Sequence, residues 1–175
     1  MTIELTEARK KHILEDYARG FIAYCGFQAV AAGPGYFESR VAVRDEHRQQ
    51  DGFIHAGVMA TLADHTAGYA AFTLVPEDHQ ILTVEFKVNF LRPAFGEALV
   101  CRARVLKPGR RLLVCESEVF DLRSEGEVLA AKVQATMAAV PAVELEKGWD
   151  NGPPARRSGN TPALNPGAYK NNKEV

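Results

Sequence analysis

Between Leu82 and Phe90 apolar and polar side chains alternate without a break, with Leu82, Val84, Phe86, Val88 and Phe90 set against Thr83, Glu85, Lys87 and Asn89. A period of two over so long a run predicts a β-strand with one buried face. The stretch Ala56–Thr73 follows another rule. Nearly every position is apolar or small, which predicts a long helix that must be covered on almost every side. Over residues 5–24, Leu5, Ala8, Leu14, Tyr17, Ala18, Phe21 and Ile22 recur mostly at helical intervals. They predict an amphipathic helix, with Gly26 just past its end.

Two strands are predicted between these helices, a weak one near 27–32 and a stronger one over Tyr36–Val43 after the Gly33-Pro34-Gly35 turn. Arg44–Gly52 is polar and irregular and reads as a loop. Downstream of 82–90, three further strands are predicted at 97–106, 111–122 and 128–140. Pro93–Gly96, Pro108-Gly109 and Ser124-Glu125-Gly126 separate them, and such short links predict an antiparallel meander. The fold class is α+β: a curved antiparallel sheet of five to six strands wrapped around one long central helix, with an extra N-terminal helix. A sheet of that size covers one side of the helix. A second copy of the chain readily buries the rest, so a homodimer is expected.

The 175 residues suit one domain, and a net charge of −1 with no basic tract gives no reason to expect a nucleic-acid partner. Met1–Lys11 is charged and has no apolar core of a secretory signal. Ala56–Val75 is apolar enough to suggest a membrane span, but Asp64 and His65 at its centre argue for a buried helix and no membrane partner. Cys25, Cys101 and Cys115 are odd in number and lack metal-site spacing, as expected of reduced thiols in a cytoplasmic protein. No metal site is expected. From Pro141 onward five Pro, four Gly and five Asn leave few apolar groups to repay ordering, so the domain is placed at 1–145 and a flexible tail at 146–175.

Asp64 is the informative residue. It lies mid-helix, away from either end, so it serves neither as a cap nor as a partner of the helix dipole. Ala60, Thr61, Ala67, Gly68 and Ala71 are its helical neighbours, all small, while Val58, Leu62, Tyr69 and Phe72 fall mainly on other faces. A carboxylate among small side chains has room for a ligand. The bland reading is a solvated helix face, but 56–75 contains no Lys, Arg or Glu, which such a face would normally carry. At the entrance to the helix, Gly52-Phe53-Ile54-His55-Ala56-Gly57 exposes first-turn N–H groups where a negative oxygen is favoured. The bland alternative there is that His55 caps the helix and Gly57 relieves crowding.

These residues carry a resemblance. His55-Ala56-Gly57-Val58, followed by Leu62-Ala63-Asp64 and Ala67-Gly68-Tyr69-Ala70-Ala71, resembles the motif of the PaaI-like thioesterases, a hotdog-fold family. Leu82-Thr83-Val84-Glu85-Phe86 with Asn89-Phe90-Leu91-Arg92-Pro93-Ala94 extends the likeness, which covers roughly residues 30–140. The resemblance implies Asp64 as catalytic carboxylate and the Ala56 backbone N–H as the donor that polarises the thioester carbonyl. Family members commonly carry Gly at that position, and a backbone donor survives the change to Ala if φ stays negative. It further implies loop support from His55, a carbonyl- or water-binding role for Gln49, and a hydroxyl at Thr83 that positions water or the carboxylate. Gly57 and Gly68 would border the substrate, and Arg92, Lys107 and Arg110 are the cations available to CoA phosphates.

The implied reaction is hydrolysis of an aryl- or fatty-acyl-CoA, with Asp64 as general base or nucleophile and no cofactor beyond the CoA of the substrate. In the family the site lies between subunits of a homodimer, and dimers often pair into a homotetramer. Two other readings stay open from the residues alone. One is a hotdog-fold acyl-thioester hydratase or dehydratase, which would want a His near the Tyr69 position. The other is a non-catalytic acyl-CoA binding module.

Overall fold

A computed structural model describes residues 5–147 of the chain. The predicted tail at 146–175 lies outside the described residues, apart from its first two positions. In chain order the elements are α1 (Glu7–Tyr17), α2 (Phe21–Cys25), β1 (Gln28–Gly33), β2 (Tyr36–Ala42), a 3-10 turn at Asp45–His47, α3 (Ala56–Phe72), β3 (His79–Phe90), β4 (Ala98–Pro108), β5 (Leu112–Arg123), β6 (Gly126–Pro141) and α4 (Ala142–Lys147).

The helix expected over 5–24 is two helices. Gly20 adopts φ 54°, ψ −124°, a conformation that side chains disfavour, and this breaks the helical run after Tyr17. Thr6 starts α1 by accepting the Arg9 N–H at 3.2 Å, and Gly26 ends α2 in the left-handed region.

All six strands form one antiparallel sheet in the order β1-β2-β4-β5-β6-β3. The expected four-strand meander is therefore corrected. β4, β5 and β6 do form one, but β3 sits beyond β6 at the edge, because the chain leaving α3 lays β3 there before crossing back to β4.

α3 lies against the sheet through Met59, Leu62, Ala63, Thr66, Ala67, Ala70 and Ala71, all buried. Its alanines let it approach closely, and the facing core includes Leu99, Cys101, Leu113, Cys115, Val133, Ala135 and Met137. This is the hotdog arrangement, one long helix against a curved sheet. Two buried hydroxyls tie the layers together: Ser39 bonds Thr66 at 2.6 Å, and Ser117 donates to the Ala63 carbonyl at 3.0 Å. α1 closes over the C-terminal half of α3. Tyr17 stacks on Phe37 with centroids 5.0 Å apart, and the buried Arg9 donates to the carbonyls of Phe72 and Val75 just where α3 runs out of acceptable partners.

The predicted buried face of 82–90 is also corrected. Leu82, Val84, Phe86 and Phe90 are all exposed, since an edge strand in a single chain has no cover beyond α3. Nor do these residues share one face. The register with β6 passes from Thr83↔Met137 to Glu85↔Thr136, which leaves Val84 as a bulge. Thr83 thus joins Phe86, Val88 and Phe90 on the helix side, while Leu82 turns outward with Glu85.

Cys25, Cys101 and Cys115 carry free thiols. Burial pushes the thiols of Cys101 and Cys115 up to about 12, so both stay protonated at neutral pH. Among the described residues no helix is long and apolar enough to cross a membrane.

Candidate functional site

Asp64 is half-buried on α3 and accepts a hydrogen bond from the Thr83 hydroxyl at 2.9 Å. The bulge at Val84 makes this contact possible, because unbroken alternation would group Thr83 with Glu85 on the outer face. Burial raises the Asp64 carboxyl above the usual aspartate range. The Thr83 bond and the neighbouring His65 pull it partly back.

Around this pair is a cavity of ≈ 190 Å³ lined by Asp16, Asp64, His65, Gly68, Tyr69, Phe72, Gln80, Ile81 and Thr83. Gly68 lies one helical turn beyond Asp64 and keeps that wall open. Tyr69 and Phe72, which the helical spacing put mainly on other faces, belong to the cavity. His65 donates Nε2–H to the Tyr17 carbonyl at 3.1 Å, and burial lowers its basicity, so the ring is neutral at pH 7. Asp16 and Tyr69 meet at the α1 side, the Tyr69 hydroxyl donating to Asp16 at 2.9 Å. Nothing in the sequence singles out Asp16. It reaches the cavity only because α1 packs over α3.

A second cavity of ≈ 340 Å³ borders the start of α3, with Gln49, Phe53, Ile54, Ala56, Met59 and Arg92 among its walls. His55 is the N-cap residue, and its Nδ1 accepts the Gly57 N–H at 2.9 Å. Gly57 leaves room for this contact: a Cβ there would lie 3.0 Å from the His55 ring nitrogen, which would have to give by a few tenths of an ångström. Ala56, first in the helix, is exposed, and its N–H finds no acceptor among the described residues. The Gln49 side chain is half-buried and likewise unbonded among them.

Several backbone and side-chain bonds hold this loop. His47 is buried, accepts the Arg44 N–H at 3.1 Å and donates Nε2–H to the Cys25 carbonyl at 2.9 Å, while its own carbonyl takes the His55 N–H. Arg48 donates to the carbonyls of Gly52 and Gly96, and Ile54 N–H bonds the Ala94 carbonyl. His47 and Arg48, within the stretch that reads as a loop, are therefore structural ties that residue pattern alone did not mark.

The sequence-derived candidates fall into separate groups. Asp64, Gly68 and Thr83 share one cavity. Gln49, Ala56 and Arg92 share the other. His55 and Gly57 build the cap beside it. Lys107 and Arg110 are exposed at the β4–β5 turn and line neither. Arg92 donates to the Leu129 carbonyl at 3.0 Å, so it is partly committed to the fold. Ala56 and Asp64 are eight residues apart on one helix, a rise of about 12 Å. Within one chain the Ala56 N–H and Asp64 therefore stand about two turns of α3 apart. Among the described residues no cluster of His, Cys, Asp or Glu is placed to hold a metal ion.

Residues 51–127 match the sequence pattern of the thioesterase superfamily. The chain is 38% identical to a thioesterase family protein from Silicibacter pomeroyi, covering 75% of this chain and 98% of that one, with a TM-score of 0.73. A conserved protein of Pseudomonas aeruginosa is 33% identical over 72% of this chain and 98% of its own, with a TM-score of 0.66. Human acyl-coenzyme A thioesterase 13 is 29% identical over 115 residues, which are 65% of this chain and 81% of the human one.

Proposed function

Because this chain belongs to the thioesterase superfamily and is a thioester hydrolase, we propose that its substrate is a small acyl-CoA and that Asp64 is the carboxylate that drives hydrolysis. The observation that carries the reading is Asp64 itself, half-buried at a cavity and held by Thr83 at 2.9 Å. An ionised carboxylate so placed can take the proton of an attacking water or attack the carbonyl directly. The Ala56 N–H, pre-oriented at a helix N-terminus, supplies charge stabilisation for the oxyanion. Gln49 borders the cavity at the start of α3 with Ala56 and is free to hydrogen-bond that oxygen or the water.

The separation of Ala56 from Asp64 supports a site shared between two chains, with the donor from one and the carboxylate from its partner. The exposed apolar side chains of β3 give such a partner a surface to cover. Higher assembly, a CoA-phosphate role for Arg92, Lys107 and Arg110, and a cytoplasmic location belong to this proposal.

The test is thiol release from a panel of short, long and aryl acyl-CoAs by wild type and Asp64→Asn. Turnover by wild type that falls by about a hundredfold or more in the folded variant supports the reading. Equal activity of the variant, or binding of acyl-CoA with no turnover by wild type, overturns it.

A further inference from the structure

The Asp64 cavity has two chemically different ends. Asp64 and Thr83 make one, next to the proposed reacting carbonyl. Tyr69, five residues further along α3, and Asp16 on α1 make the other, roughly 7.5 Å on by the helix rise. At that far end the Tyr69 and His65 protons are already committed. The Tyr69 hydroxyl gives its hydrogen to Asp16 at 2.9 Å, and Asp16 Oδ1 pairs with Arg19 at 3.0 Å. His65 gives its only ring proton to the Tyr17 carbonyl. What these lining groups have left to offer is a set of acceptors: the second lone pair of the Tyr69 oxygen, the free capacity of the Asp16 carboxylate, and the unprotonated His65 nitrogen. Gln80, also in the wall, can either donate or accept. Burial and the adjacent Asp16 push the Tyr69 phenol far above its ordinary range, so it does not ionise and exchange its role.

We propose that Asp16 and Tyr69 are specificity-determining residues that select short acyl groups bearing an uncharged hydrogen-bond donor, a hydroxyl above all, at the end remote from the thioester. This rests on the acyl-CoA reading of the Asp64 site. A plain alkyl end leaves those acceptors dry and unpaired, which is the circumstance in which a polar pocket rejects an apolar analogue. A carboxylate end meets Asp16 and is repelled. Arg19 offsets the charge of Asp16, so a cationic end gains less than its charge alone suggests. The cavity of ≈ 190 Å³ is bordered on the α1 side by Asp16, and its size favours a short acyl group.

The experiment compares kcat/KM for hexanoyl-CoA, ω-hydroxyhexanoyl-CoA and adipoyl-CoA, whose extended chains cover a span comparable with the cavity. Wild type should favour the hydroxyl over the methyl end by about tenfold, the low end for a hydrogen bond to a partly exposed charged group, and should disfavour adipoyl-CoA. In Asp16→Ala the hydroxyl-to-methyl ratio should fall to about one. Asp16→Asn keeps the side-chain shape and the Tyr69 bond, so it folds even if the alanine variant does not, and it should raise the adipoyl-to-hexanoyl ratio severalfold. A merely structural role for Asp16 would lower all three rates together and leave the ratios fixed. Equal wild-type rates on hexanoyl- and ω-hydroxyhexanoyl-CoA, or ratios unmoved in both variants, overturn the assignment alone. Absence of turnover of every acyl-CoA by wild type overturns the hydrolysis reading and this assignment with it.

Discussion

At the scale of single residues, the Asp64–Thr83 contact sets two opposing demands. Burial raises the Asp64 carboxyl and the Thr83 hydroxyl pulls it down by bonding the charged form. Thr83→Val removes that bond at nearly constant shape, so Asp64 should take up its proton at still higher pH. The acid limb of kcat/KM should then shift upward in pH, and a pH–rate profile of the two proteins checks it. The same burial has a sign for stability. A carboxyl raised in the folded state contributes stability below the ordinary aspartate value and loses it as pH rises through the raised value. At neutral pH the ionised Asp64 therefore costs stability, and Asp64→Asn should melt at a higher temperature than wild type. That advantage should vanish in melts below the ordinary aspartate range. An equal or lower Tm at neutral pH would show that Asp64 is not strained by burial. Asp64 was legible in the sequence because the stretch 56–75 carries no other acidic residue and no Lys or Arg, which isolates it. Asp16 was not, because its role depends on a packing between two helices that no local spacing records.

At the scale of elements, the start of α3 shows how small terms separate stability from activity. His55 caps the helix through Nδ1 and Gly57 N–H, and losing such a cap costs about 1 kcal/mol. Gly57→Ala crowds the His55 ring, because the new Cβ lies 3.0 Å from Nδ1, yet replacing Gly in a helix returns roughly 0.5–1 kcal/mol. The two nearly cancel. Gly57→Ala should hold its Tm within a few degrees while kcat falls, since the displaced cap re-aims the Ala56 N–H. His55→Ala should instead lose about 1 kcal/mol in denaturant unfolding, with no compensating gain. The elements themselves were largely readable: α3 and all six strands fall where apolar periodicity and Gly/Pro turns put them. The edge position of β3 and the short α4 were not, nor were two further features. Gly20 divides the first helix although the apolar spacing runs through it, because a backbone turn at positive φ interrupts no side-chain pattern. The alternation from Leu82 to Phe90 suggested one continuous face, but side-chain polarity does not reveal a bulge. It is that bulge at Val84 which delivers Thr83 to Asp64.

At the scale of the whole molecule, the question is whether the two cavities of one chain serve one reaction. The Ala56 N–H and Asp64 are separated by about two turns of α3, so the proposed shared site takes them from different chains. A substitution at Ala56 can remove the donor without removing the helix. Ala56 is the first helical residue, where proline is well tolerated because its missing N–H would be unpaired within the helix in any case. His55, which precedes it, already has φ −62° and ψ 136°, the extended conformation that a following proline favours. Ala56→Pro should therefore fold, and its kcat should fall by about a hundredfold, the scale for one lost oxyanion donor. Asp64→Asn should fail equally for its own reason. Mixing the two inactive variants, after unfolding and refolding together, distinguishes the architectures. In a shared site each mixed dimer has one position carrying both defects and one carrying neither, so a substantial part of wild-type activity should return. In a site built within one chain, every site in the mixture carries one defect and the activity stays lost. Recovery that follows the mixing ratio would place the donor and the carboxylate on opposite chains, and its absence would confine the chemistry to one.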